Sequence, residues 1–340
     1  MSEDTLQLVD NDALLQLKDQ VNKLQRARDE MIGKLFAPDF ISTHRLGSAR
    51  NLRTCTNEPV PNVLLAILAK QKERSLPLYL DCIERLDYPK SAISLYVRTN
   101  NNTDKTRELL EDWVARVGNM YRGVEMDTTD VTDCVQDFKV HEWNTTRFRV
   151  LSKIRNISLH KTLEHRCDYY FVCDVDNFIA PWTLAELTSL RLPVVAPLLR
   201  NFAEGSFNSN FFQDVDDNGY YKENNTLYLP LLTRVIRGII ETKLVHHTYL
   251  VRQDVIGQLT YDDGSGRYEF VVFADSARRA NIPQYIDNRQ IYGYITSGDE
   301  YGYFPGDEEE ATKAGVTKPS QVAVTREIFE QLWSNTTSNK

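Results

Sequence analysis

The chain has 340 residues, 41% of them hydrophobic and 26% charged, enough to bury a full core without disulfides or structural metals. Its net charge of −8 and pI near 5.4 give no general attraction to nucleic acid or to an anionic membrane surface. An anionic ligand would have to be met by a local cation or a few placed arginines. Five cysteines, Cys55, Cys82, Cys134, Cys167 and Cys173, are odd in number and lack the CxxC spacing of zinc sites, so they read as free thiols of a reducing compartment.

The first residues, Met-Ser-Glu-Asp, have neither a basic nor an apolar stretch of a secretory signal, and no apolar run approaches the ~18 residues that span a bilayer. The expectation is a cytoplasmic or otherwise non-secreted protein without a membrane span. Leu14, Leu17, Val21, Leu24, Met31 and Leu35 recur at spacings of three and four, with Arg28 breaking the seam. This short heptad pattern makes either an amphipathic helix lying on the main domain or a coiled coil that joins a homodimer. It divides the chain into residues 1–56, a heptad helix with its linker, residues 57–300, the main domain, and residues 301–340, an acidic connection with a C-terminal helix.

From Val63 the pattern becomes strand-length apolar runs separated by amphipathic stretches. Val63 to Ala69 predicts a buried parallel strand, Ser75 to Leu86 a helix with Pro77 in its first turn, Ile93 to Thr99 a second strand, and Asp104 to Val117 a second helix. A longer helix from Thr146 to about Glu164 leads to the strand Tyr169 to Cys173. A helix near Trp182 to Leu190 and a strand Val194 to Pro197 follow, and Val324, Ile328, Leu332, Phe329 and Trp333 mark the C-terminal amphipathic helix. The alternation predicts a doubly wound α/β sheet.

The strand Tyr169 to Cys173 runs directly into Asp174-Val175-Asp176. Carboxylates at a strand end lie where α/β sheets place ligands, and in an extended segment the two would share a face. They suit Mn²⁺ or Mg²⁺, which would bridge them to phosphate oxygens of a nucleotide sugar. The plainer alternative is a pair of solvated turn acids, the role assigned to Asp214, Asp216 and Asp217 around Asn218-Gly219. His246 or His247 offers an imidazole as third ligand, and the alternative for each is a hydrogen-bonded core or surface histidine. Glu269 stands in an apolar and aromatic run, either as a general base with its pKa raised by burial or as a salt-bridge partner of Arg267, Arg278 or Arg279.

A series of motifs between Pro61 and Tyr294 resembles the procollagen galactosyltransferases of glycosyltransferase family 25 and, more distantly, the accessory glycosyltransferase-like domain of lysyl hydroxylases. The series is Leu76-Pro77, Arg85-Leu86-Asp87-Tyr88-Pro89, Thr99 with Asn102 and Asp104, and Trp143 with Arg147-Phe148, Lys153 and Arg155. It continues through Asp174-Val175-Asp176-Asn177-Phe178, Val195-Ala196-Pro197, Ser209-Asn210-Phe211, Val245-His246, Asn288-Arg289 and Tyr292-Gly293-Tyr294. The resemblance implies a GT-A fold with a Rossmann-like mixed sheet, a UDP-sugar donor carrying galactose or glucose, Mn²⁺, and transfer with inversion to hydroxylysine of collagen-like protein. It implies donor contacts from Thr99, Asn102, Asp104, Arg147, Lys153, Arg155, Asp174 and Asn210, metal contacts from Asp174, Asp176 and His246, and Glu269 as the base. Where the family commonly carries paired aspartates before an apolar run, this chain has Tyr268-Glu269. That departure leaves a non-catalytic binding or assembly domain as the rival expectation.

Overall fold

The computed structural model describes residues 59–132, 144–201, 208–222, 227–296, 326–327 and 329–330. The heptad stretch, the dimer expected from it and the acidic connection lie outside the described residues. Thirteen strands and six α-helices are described, labelled β1 to β13 and α1 to α6 in chain order.

The first half alternates as its apolar runs dictate. β1 (Val63–Ala69) leads through α1 (Leu76–Glu84) to β2 (Ile93–Thr99), and α2 (Thr106–Val117) to β3 (Gly123–Asp127). Every residue of β2 and all but one of β1 are buried, which is what strands covered on both faces require. α3 (Thr145–Glu164) starts at Asn144, whose Oδ1 accepts from Arg147 N–H at 3.0 Å, an N-cap that satisfies one orphan donor of the first turn. It delivers the chain to β4 (Tyr169–Cys173), which lies beside β1 with Val63 opposite Tyr169.

β5 (Asn177–Ile179), α4 (Thr183–Ser189), β6 (Val194–Pro197), β7 (Leu199–Asn201) and β8 (Phe211–Phe212) follow. Then come α5 (Tyr228–Leu232), β9 (Ile239–Thr242), β10 (Leu244–Val245), β11 (Thr248–Arg252), α6 (Glu269–Arg279), β12 (Gln284–Asp287) and β13 (Gly293–Ile295). The main sheet has the order β3-β2-β1-β4-β11-β6-β12-β9. β3, β2, β1 and β4 are parallel, β11 runs antiparallel between β4 and β6, and β12 resumes the parallel direction beside β6. β5, β13 and β7 form a second sheet in the order β5-β13-β7, and β10 pairs with β8.

The core joins both halves of the sheet to the helices that cover it, with Leu64, Tyr170, Val172, Val194, Tyr249 and Phe273 in one cluster. Each such side chain contributes about 1.5–3 kcal/mol on burial. Cys82, Cys167 and Cys173 are buried free thiols, and no helix among the described residues is long and apolar enough to cross a membrane. Of the C-terminal helix, Arg326, Glu327, Phe329 and Glu330 are described and helical, and Phe329 is buried edge-on against Tyr294.

Candidate active site at the end of the central strand

β4 ends at Cys173 and the chain turns at once, because Asn177 N–H donates to Asp174 O at 2.9 Å. The triplet therefore occupies a tight turn instead of the extended segment expected from the sequence, and its two carboxylates meet different partners. Asp174 accepts from Arg155 Nη2 at 2.9 and 3.1 Å on its two oxygens, and from His247 Nδ1 at 3.0 Å on Oδ2. Asp176 Oδ2 lies 3.0 Å from Lys72 Nζ.

The turn is tied on every side. Tyr79 OH on α1 donates to Cys173 O at 3.0 Å, Asp174 N–H donates to His247 O at 3.1 Å, and Thr296 N–H at the end of β13 donates to Asp176 O at 3.0 Å. Asn177 Nδ2 donates to Thr248 Oγ1 at 2.8 Å, which locks the turn to β11. Burial works against the charge of Asp174, but Arg155 and His247 outweigh it and hold the carboxyl well below the usual range, so it is ionised. An ionised Asp174 fixes the tautomer of neutral His247 with its proton on Nδ1, which leaves the lone pair on Nε2.

The two histidines divide sharply. They sit between β10 and β11, where Thr248 N–H donates to His246 O at 2.7 Å, so alternate-face strand logic does not apply. His247 has φ +62°, a left-handed conformation that a residue with a Cβ adopts at a cost and that concentrates at functional sites. His246, the residue expected as metal ligand, is buried between Phe212 and Phe270, at ring separations of 5.3 and 5.1 Å. Burial, then the neighbouring His247, lowers its pKa well below the ordinary value and keeps it neutral. The imidazole that faces the acidic turn is that of His247, since the left-handed bend accompanies its bond to Asp174 while aromatic stacking holds the ring of His246.

Glu269 is the first residue of α6, with its carboxylate favourably placed at the helix N-terminus. It is buried, and its partner is Arg155, whose Nε lies 3.5 Å from Glu269 Oε1. Arg267, Arg278 and Arg279, the alternatives raised by the sequence, pair with Asp275. Burial raises the pKa of Glu269, and Arg155 opposes the rise in part. Arg155 thus bridges Asp174 and Glu269 from within, as an interior counter-ion.

The other residues expected to touch a donor are placed variously. Thr99 Oγ1 accepts from Asn102 Nδ2 at 2.5 Å. Asn102 Oδ1 accepts from Gln71 N–H at 3.0 Å and Asp104 Oδ2 from Glu73 N–H at 3.1 Å, so both side chains clamp the loop after β1. Arg147 approaches Lys70, whose pKa is lowered by burial and by the charge of Arg147, and Lys153 is exposed on α3. Asn210 is a structural knot. Its Nδ2 donates to Pro197 O and Thr248 O at 2.7 and 3.2 Å, and its Oδ1 accepts from Leu199 N–H and Ser209 Oγ at 3.1 and 3.2 Å, which fills its bonding capacity. The acids Asp214 and Asp216 form the expected polar turn, Asp216 Oδ1 accepting from Asn218 and Tyr220 N–H at 2.9 Å.

Three contributors escaped the sequence reading: Lys72, Tyr79 and Thr296. Lys72 was accessible in principle, because parallel neighbours β1 and β4 bring the loops after them together at one sheet edge.

A parallel βαβ half, an antiparallel strand inserted beside β4 and a separate three-stranded sheet make the mixed α/β domain expected of a GT-A fold. The chain belongs to glycosyltransferase family 25: residues 60–305 match the model of its N-terminal domain. Procollagen galactosyltransferase 2 of Homo sapiens is 34% identical over 244 residues, which is 69% of this chain and 38% of that protein. Inactive glycosyltransferase 25 family member 3 of Homo sapiens is 32% identical over 246 residues, covering 70% of this chain and 41% of that protein. A crystal structure of GalNAc-T7 with UDP, GalNAc and Mn²⁺ aligns with TM-score 0.47 and 10% identity over 70% of this chain and 43% of that one. The chain spans about two fifths of the length of the curated relatives it matches.

Proposed function

We propose that this domain is a metal-dependent glycosyltransferase that moves galactose or glucose from a UDP-sugar to a hydroxyl acceptor, hydroxylysine of a collagen-like protein, with inversion. The observation that carries it is an ionised carboxylate turn at the end of β4 with His247 folded onto it. The similarity to procollagen galactosyltransferases supports the acceptor.

Among the described residues no group of three or more His, Cys, Asp or Glu is drawn together as a bound metal would hold them. The donor types nevertheless fit a hard or borderline divalent cation: Asp176 and His247 Nε2 would hold Mn²⁺, with Asp174 behind His247 orienting its ring through Nδ1. Bound there, the ion would neutralise charge on the departing diphosphate. The chain's own residues do the rest. Arg155 keeps Asp174 ionised, and Glu269, with a pKa raised by burial, takes the proton of the acceptor hydroxyl as its oxygen bonds to the anomeric carbon and the bond to the diphosphate breaks.

A non-catalytic binding domain is the second reading. It draws on the relatives named inactive and on the pairing of both triplet carboxylates with protein cations. Incubation with UDP-galactose or UDP-glucose, Mn²⁺ and a hydroxylysine peptide decides between them by mass of the product. Transfer supports the enzyme; Mn²⁺-dependent UDP binding with no transfer of either sugar supports the second reading.

A further inference from the structure

The triplet is neutralised by two cations of opposite character. Arg155 is fixed: its guanidinium is about nine-tenths buried, engages both oxygens of Asp174 and also pairs with Glu269. Lys72 is an arm on a clamped base. Its N–H donates to Thr106 Oγ1 at 2.6 Å, and Gln71 before it, at φ 55°, is held by Asn102 and by exchanging two bonds with Thr103 at 2.6 and 2.7 Å. Glu73 after it is held by Asp104. The backbone at Lys72 therefore stays in place whatever its side chain does.

The Lys72 side chain is about a quarter exposed and that of Asp176 slightly more, and a partly solvated pair of that kind exchanges more cheaply than a buried one, because water recovers both ions when they part. A divalent cation offers Asp176 twice the charge, and it cannot share the carboxylate closely with a positive ammonium 3.0 Å away. The displaced ammonium, tethered at the same sheet edge, remains within a side chain's length of any anion that the metal brings.

We propose that Lys72 is the displaceable counter-cation of Asp176: it occupies the carboxylate until a divalent cation replaces it, then transfers its ammonium to the diphosphate of the donor. The second half rests on the reading of the site as a nucleotide-sugar site. Lys72 is then a residue that couples metal to nucleotide, weakening the metal alone and strengthening the ternary complex.

Calorimetric titrations of Lys72→Met, Lys72→Arg and the wild type test this, with circular dichroism confirming the fold. Removing the competing cation is expected to tighten Mn²⁺ binding to the protein alone by a few-fold, up to about tenfold. The same Lys72→Met variant, saturated with Mn²⁺, is expected to bind UDP about tenfold more weakly, from loss of one charge-assisted contact. Lys72→Arg retains a cation and stays within a few-fold of wild type in both. Unchanged or weaker Mn²⁺ binding by a folded Lys72→Met overturns the proposal, and so does unchanged UDP affinity. Wild type that binds Mn²⁺ but no UDP sinks the donor reading, while the titration with Mn²⁺ alone still judges the counter-cation. Wild type that binds no Mn²⁺ sinks both.

Discussion

Replacing Arg155 with methionine keeps most of the side chain's volume but removes the guanidinium that Asp174 and Glu269 share. Arg155, Asp174 and Glu269 have side chains only 11%, 18% and 10% exposed, so solvent cannot take over the lost partner. Breaking a buried pair by deleting one member costs about 3–5 kcal/mol, because the other charge is left uncompensated. At roughly 2–4 °C per kcal/mol for a domain of this size, the expected loss in Tm is about 6–20 °C. Circular dichroism melts of the metal-free protein at pH 7 measure it. Adding Glu269→Gln removes one of the two stranded acids, so the double variant should melt above Arg155→Met alone. A loss under about 2 °C, together with a fall in UDP affinity, would refute the interior counter-ion and make Arg155 a donor-contacting group.

Other outcomes follow from the same geometry. Glu269→Gln should retain UDP and Mn²⁺ affinity and lower turnover by ~10²–10⁴ in a peptide transfer assay, and wild-type turnover would end its assignment as base. For His247, burial alone would lower the pKa, but the hydrogen bond and charge of Asp174 raise it above its ordinary 6.5. Mn²⁺ affinity measured against pH should therefore already be falling above pH 6.5 as the ring protonates, a step that His247→Gln abolishes. The stabilising pair with Asp174 has the opposite dependence, present below the unfolded pKa and lost as pH rises through the folded one, so in metal-free melts His247→Gln should cost more at pH 6 than at pH 8.5. At Gly293 a Cβ would fall 2.0 Å from Phe178 O, so Gly293→Ala must part β13 from β5. Thr296, which holds Asp176, lies just beyond, and reduced Tm with weakened Mn²⁺ binding is the expected result.

The strands Val63–Ala69, Ile93–Thr99, Tyr169–Cys173 and Val194–Pro197 were legible to the residue, because continuous apolar runs bounded by polar turns leave little freedom in where a buried strand starts. The helices α2 and α3 were legible within two residues for the same reason of periodicity. Position along β4 likewise located the acidic turn. What each carboxylate faces was not legible, since Arg155 and Lys72 reach them across the fold through α3 and the loop after β1. The choice between His246 and His247 depended on one left-handed residue between two short strands, and a pattern of alternating faces assumes the extended backbone that is absent there. Asn210 shows the converse: a residue matching a family motif, whose side chain is consumed in joining β6, β7 and β11.

Titration of UDP into the wild type and Asp176→Asn, each with and without Mn²⁺, shows whether the acidic turn holds the cation that binds the donor. The wild type is expected to bind UDP only with Mn²⁺, and Asp176→Asn to lose that dependence with the fold and Tm near wild type. Equal UDP affinity of the wild type with and without the metal, or no UDP binding in either condition, would contradict that role of the turn.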